Sequence, residues 1–160
     1  MKKMVICAPI TSRSGYGEHA RDLVKSFIEH EKYEIQIIDV RWGDCPRNAL
    51  DVNNKSHQMM KSLIVPPNHQ FKYQPDVYVD IRIPNEFQTW GKFNIGITAG
   101  VETDAVSPAF LEGCNKMDLI IVPSEHSKKG FADSVYDKMK DTPNGKQKDG
   151  ELKLEKPMEV

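Results

Sequence analysis

A long apolar run is the first thing this chain lacks. A membrane-spanning helix needs about 20 consecutive apolar residues, and the amino terminus MKKMVICAPITS offers only a handful. That is also too short for a signal peptide, so the sequence predicts a cytoplasmic protein without a transmembrane segment. Charge of one sign is missing too: 22 basic against 23 acidic residues leave a net charge of −1. Without a basic excess, nucleic acid is not expected as a partner. Cys7, Cys45 and Cys114 are odd in number and share no metal-ligand or redox spacing, which predicts reduced thiols, with Cys7 and Cys114 in the core. His30, His57 and His69 belong to no constellation, and no metal site is expected. There is no internal repeat and no low-complexity tract. What remains is 160 residues, one domain long enough to bury roughly 70% of its unfolded surface.

The most informative stretch is FNIGITAGVETDAVSPAFLEGCNKMDLIIVPSEHSKKGF. FNIGITAGV reads as a buried strand that empties into Glu102-Thr103-Asp104 before a helix near Ser107-Pro108. DLIIVP is a second strand, stopped by Pro123, with Ser124 placed to cap the next helix. Two strand-turn-helix units in succession predict an α/β domain with a parallel sheet. Ligands of such sheets sit at the carboxyl ends of the strands, so Thr98 to Asp104 and Pro123 to His126 lie where chemistry is expected.

Towards the amino terminus, KMVICA reads as a first, central strand. Ala20, Leu23, Val24, Phe27 and Ile28 then form one apolar stripe on a helix starting about Gly17. Gly15 and Gly17 lie in the intervening loop. They either make a tight turn or allow a phosphate or sugar hydroxyl to approach the backbone N–H groups, and Arg13 in the same loop could meet a phosphate. YEIQIIDV is a further strand, whose Asp39 reads either as a ribose contact or as a solvated strand-end carboxylate. Met59, Met60, Leu63 and Ile64 suggest a short core-filling helix ending before Pro66-Pro67, and Trp42 reads as a lid over the core or a sugar-stacking platform. DVYVDIRI alternates strictly, which predicts a half-buried strand nearer an edge than the middle. Phe131, Ala132, Val135, Tyr136 and Met139 predict a last amphipathic helix. From Lys140 the chain turns charged and turn-rich, giving a domain over 1–139 and a linker or hairpin over 140–160 that ends in the start of a strand.

Taken together, SGYGEHARDLVKSF, PNEFQTWGKFNIGITAGVETD and MDLIIVPSEHSKKGF resemble the amino-terminal half of a family 4 (group 1) glycosyltransferase of the two-domain GT-B type. The resemblance spans most of residues 3–136. It implies a Rossmann-like three-layer domain with a mainly parallel sheet, and retaining hexosyl transfer from a nucleotide sugar to an acceptor bound here. The nucleotide sugar would be a co-substrate, with no separate cofactor. Gly15, Tyr16 and Gly17 match the loop that faces the donor phosphates and transferred sugar, and Glu102, Thr103, Asp104, Ser124, Glu125 and His126 match turns lining the cleft. Relatives carry a histidine near Glu102 and this chain does not, so the catalytic residue stays unassigned, with Glu102 and His126 as candidates. His19 is divided between cleft and solvent. The family's paired-glutamate motif and diphosphate-binding basic residues belong to a second domain. The chain is therefore expected to be inactive alone and to need a carboxyl-terminal domain or partner chain. Two other classes stay open: a non-catalytic sugar- or nucleotide-binding module, and an interaction protein with an apolar cleft face.

Overall fold

A computed structural model describes residues 1–160. The first strand, β1 (Lys2–Ala8), is buried over its last five residues, as an apolar run covered on both faces must be. It leads into α1 (Gly15–Glu29), where the Ser14 hydroxyl accepts a hydrogen bond from the Gly17 N–H and so starts the helix. Ala20 and Val24 of the predicted stripe are fully buried against the sheet, with Leu23, Phe27 and Ile28 beside them. The chain continues through β2 (Tyr33–Asp39), α2 (Lys55–Leu63), β3 (Val77–Ile81), β4 (Phe93–Ile97), α3 (Pro108–Cys114) and β5 (Leu119–Ile121). Then come α4 (Glu125–Asp133), a hairpin of β6 (Tyr136–Thr142) and β7 (Gly145–Leu152), and β8 (Met158–Glu159).

Six strands pair in the order β2-β1-β3-β4-β5-β8, and every pairing among them is parallel. The fold is α/β and Rossmann-like, as predicted, with the antiparallel hairpin added. Alternate residues of β1 divide between two cores. Met4, Ile6 and Ala8 pack with α1 and Met60 of α2. On the reverse face Val5, Cys7 and Tyr78 are closed over by Phe71 and Trp90, and Phe87, Leu111, Cys114, Ile120 and Phe131 form a third cluster around α3 and α4. Cys7 and Cys114 are buried free thiols. No helix is long and apolar enough to cross a membrane.

Three local readings change. DVYVDIRI is not near an edge: β3 lies between β1 and β4, and four of its five residues are buried. The polar Asp80 that suggested a wet face is fully buried. It accepts hydrogen bonds from Arg82 Nε and Nη2, each at 2.7 Å, and from the Gln88 N–H at 3.0 Å. Nor does the last helix run on to Met139. It stops after Asp133 because the Ser134 hydroxyl donates back to the Gly130 carbonyl at 2.7 Å while accepting the Val106 N–H at 2.9 Å. Beyond it Tyr136 starts β6 and donates to the Val106 carbonyl at 2.6 Å, leaving Val135 and Met139 about half exposed. The methionine pair splits as well, with Met60 buried and Met59 51% exposed. At the carboxyl end the predicted strand start does form, as β8 beside β5.

Candidate functional site

In an open sheet of this order, successive crossovers diverge on either side of the boundary between β1 and β3, and the crevice there is where such folds take ligands. The residues picked from the sequence cluster at this carboxyl edge. The loop after β1 is folded back by Arg21 of α1, whose Nη1 donates to the carbonyls of Ile10 and Ser12 at 3.1 and 2.8 Å. Partial burial draws the Arg21 guanidinium below its ordinary pKa. Gly17 sits under this fold, and a Cβ there would lie 2.2 Å from the Ser12 carbonyl oxygen. Packing alone thus requires glycine at 17. Gly15, by contrast, opens the helix with no atom within 4 Å of where its Cβ would be.

Tyr16 spans the crevice. Its hydroxyl lies 3.0 Å from the Thr98 hydroxyl and accepts the Ala99 N–H at 3.0 Å, so the loop after β1 is tied to the loop after β4. Trp42 stacks on its ring at 4.1 Å, which makes Trp42 a lid on Tyr16 rather than on the core. The loop after β4 is tied in turn to α4. The Ser127 hydroxyl accepts the Val101 N–H at 3.1 Å and lies 3.0 Å from the Ser124 hydroxyl, which itself caps the helix by accepting the Ser127 N–H. On this locked frame Glu102, Thr103, Asp104, Glu125 and His126 are all exposed. Thr103 donates to the Ala105 carbonyl, bending the turn.

Arg13 stands apart from that rim. Its Nε donates to Asn48 Oδ1 at 2.7 Å and its Nη2 to the Asn48 carbonyl at 3.2 Å, which pins the 41–54 loop over the ends of β1 and β2. His19 is half buried on α1. Asp39 is not solvated, for its side chain is only 7% exposed. It accepts from the Thr11 N–H and hydroxyl and from Arg47. Thr98, at the strand end where a ligand is expected, and Ser127, which was not picked from the sequence, are both buried and join the loops. No local pattern marks Ser127, whose hydroxyl serves Val101, 26 residues away.

Compared with family models, curated proteins and solved structures, the chain matches none. Its site is therefore read from its own residues. No group of three or more His, Cys, Asp or Glu side chains is placed to hold a metal ion. What the rim offers is hydrogen bonding: three exposed carboxylates, a hydroxyl and an imidazole on loops cross-tied by Tyr16 and Ser127.

Proposed function

We propose that residues 1–160 form the acceptor-binding domain of a retaining GT-B-type glycosyltransferase that uses a nucleotide sugar. The observation that carries this reading is the cross-tied rim, in which Tyr16 and Ser127 hold three strand-end loops together while Glu102, Asp104 and Glu125 face outward. Carboxylates accept hydrogen bonds from hydroxyls, which suits a polyhydroxylated acceptor. The same carboxylates repel a diphosphate. Since glycosyl transfer builds negative charge on the leaving diphosphate, the basic groups that neutralise it must come from a second domain facing this edge. Glu102 or His126 would then meet the acceptor hydroxyl, as base or as orienting partner.

A titration followed by amide NMR tests this. Oligosaccharide acceptors should shift residues 98–104 and 124–127, and a nucleotide sugar should not be turned over by this chain alone. Turnover by this chain would refute the reading. The open space around Gly15 favours a second reading, a non-catalytic nucleotide-binding module. Tight binding of a nucleoside diphosphate at residues 13–17 would select it.

A further inference from the structure

Beside the rim, where the ends of β1 and β2 meet the last turn of α2, a cavity of about 580 Å³ opens between Thr11, Asp39, Arg47, Leu50, Lys61 and Pro66. A smaller hollow of about 270 Å³, reaching Phe71 and His69, shares Asp39, Arg47 and residues 64–67 with it. The larger volume lies within the roughly 300–1,000 Å³ of small-molecule sites. Its walls combine an apolar side, from Leu50, Ile64, Pro66 and Pro67, with two cations and one carboxylate.

The carboxylate is already engaged. Asp39 Oδ1 accepts the Thr11 N–H at 3.2 Å, and Oδ2 accepts the Thr11 hydroxyl at 2.7 Å and Arg47 Nη2 at 2.6 Å. So Asp39 orients Arg47 rather than binding a ligand hydroxyl, and Arg47 Nε is turned to the Thr11 hydroxyl at 3.3 Å. Arg47 Nη1 is left without a partner, on a side chain 44% exposed. Lys61 takes part in no ion pair. One carboxylate against Arg47 and Lys61 leaves the walls one positive charge in excess. A guanidinium held by a carboxylate behind it, beside a free ammonium, is an arrangement that suits an anion.

We infer that this cavity binds a small organic anion. Its phosphate or carboxylate meets Arg47 Nη1 and Lys61, and its carbon skeleton packs on Leu50, Ile64, Pro66 and Pro67. The inference stands apart from the acceptor reading, because neither Arg47 nor Lys61 belongs to the rim at β4 and β5.

Calorimetric titration of the full chain tests it, with a hexose phosphate, benzoate, inorganic phosphate and an uncharged hexose as probes. Saturable one-to-one binding of the hexose phosphate or of benzoate is expected, and whichever binds identifies the anionic group. Inorganic phosphate should bind more weakly, and the uncharged hexose not at all. Lys61→Gln should weaken binding about tenfold or more, as loss of a charge-assisted contact implies. It is the deciding variant, because Lys61 takes part in no ion pair, whereas Arg47→Gln also disturbs Asp39. Unchanged affinity in a folded Lys61→Gln protein would overturn the proposal. So would equal affinity for the uncharged hexose, equal affinity for inorganic phosphate, or no binding by either organic anion at millimolar concentration.

Discussion

Asp80→Ala tests the energetics of the sheet's centre. Asp80 is fully buried and Arg82 is 13% exposed at its side chain, and they meet through two bonds of 2.7 Å. Removing the carboxylate leaves the guanidinium largely desolvated without a counter-charge and the Gln88 N–H without its acceptor. Breaking one side of a buried pair costs about 3–5 kcal/mol. A domain of this size has about 5–15 kcal/mol in all. With a shift of about 2–4 °C per kcal/mol, the melting temperature should fall by about 6–20 °C. Arg82→Met alone should cost a similar amount, since it strands the carboxylate. The double variant Asp80→Leu with Arg82→Met should recover most of the loss, because well-packed apolar replacements of a buried pair are often neutral. Urea unfolding of the parent, Asp80→Leu, Arg82→Met and the double variant gives the double-mutant cycle. If each single variant cost under about 1 kcal/mol, or if the two losses simply added, the pair would not be an interdependent buried unit and the reasoning would fail.

Three further outcomes follow from the same structure. Gly17→Ala should destabilise by about 1–3 kcal/mol through its clash with the Ser12 carbonyl, while Gly15→Ala, with open space around it, should be neutral or gain up to about 1 kcal/mol; urea midpoints separate them. Tyr16→Phe should cost about 1–2 kcal/mol and speed amide exchange at Ala99, whose N–H loses its acceptor; unchanged exchange there would contradict the tie. Burial pushes the Cys7 thiol up to about 11 and the Cys114 thiol up to about 12. Both stay protonated in the folded state at pH values where the unfolded chain ionises them, so their contribution is complete below about pH 8.5 and lost as pH rises towards 11–12. Stability should fall by up to about 1.4 kcal/mol per pH unit for each thiol across that range, read from urea midpoints in Cys7→Ala and Cys114→Ala backgrounds, where the slope should shrink.

The sequence was legible wherever periodicity and burial agree. KMVICA, the stripe from Ala20 to Ile28, and the two strand-turn-helix units at FNIGITAGV and DLIIVP all fold as their spacing predicts. The predicted cap at Ser124 needs only a hydroxyl near a helix start and is made within four residues of chain, whereas the cap at Ser14 starts the first helix two residues before Gly17. What misled was partnership across the chain. Asp80 reads as polar and therefore wet, because nothing in an alternating pattern says that Arg82 will fold back onto it. Tyr136 continues a helical spacing, yet the helix ends at Asp133, where the Ser134 hydroxyl bonds Gly130 and the N–H of Val106, 28 residues earlier. Of the site, the loops were legible from glycine, proline and capping serine, whereas the ties between them were not. Tyr16 and Thr98 are 82 residues apart and Val101 and Ser127 are 26 apart. Asp39 fell between its two readings for the same reason, its partner Arg47 lying in a loop without any periodic signal.

The placement of β1 between β2 and β3 also bears on how fast the domain assembles. Lys2 meets Tyr33 across one side of β1, while on the other Lys3 donates to Asp76, 73 residues further on. The two flanks of the sheet can each zip through their own neighbouring segments, but they fuse only when this distant seam closes. Seam closure is the step with the largest sequence separation, and non-local pairing of this kind slows folding. Val79→Ala, on the seam, should therefore slow refolding, whereas Met158→Ala, on the last strand, should mainly quicken unfolding; stopped-flow chevrons of the two variants would separate those effects.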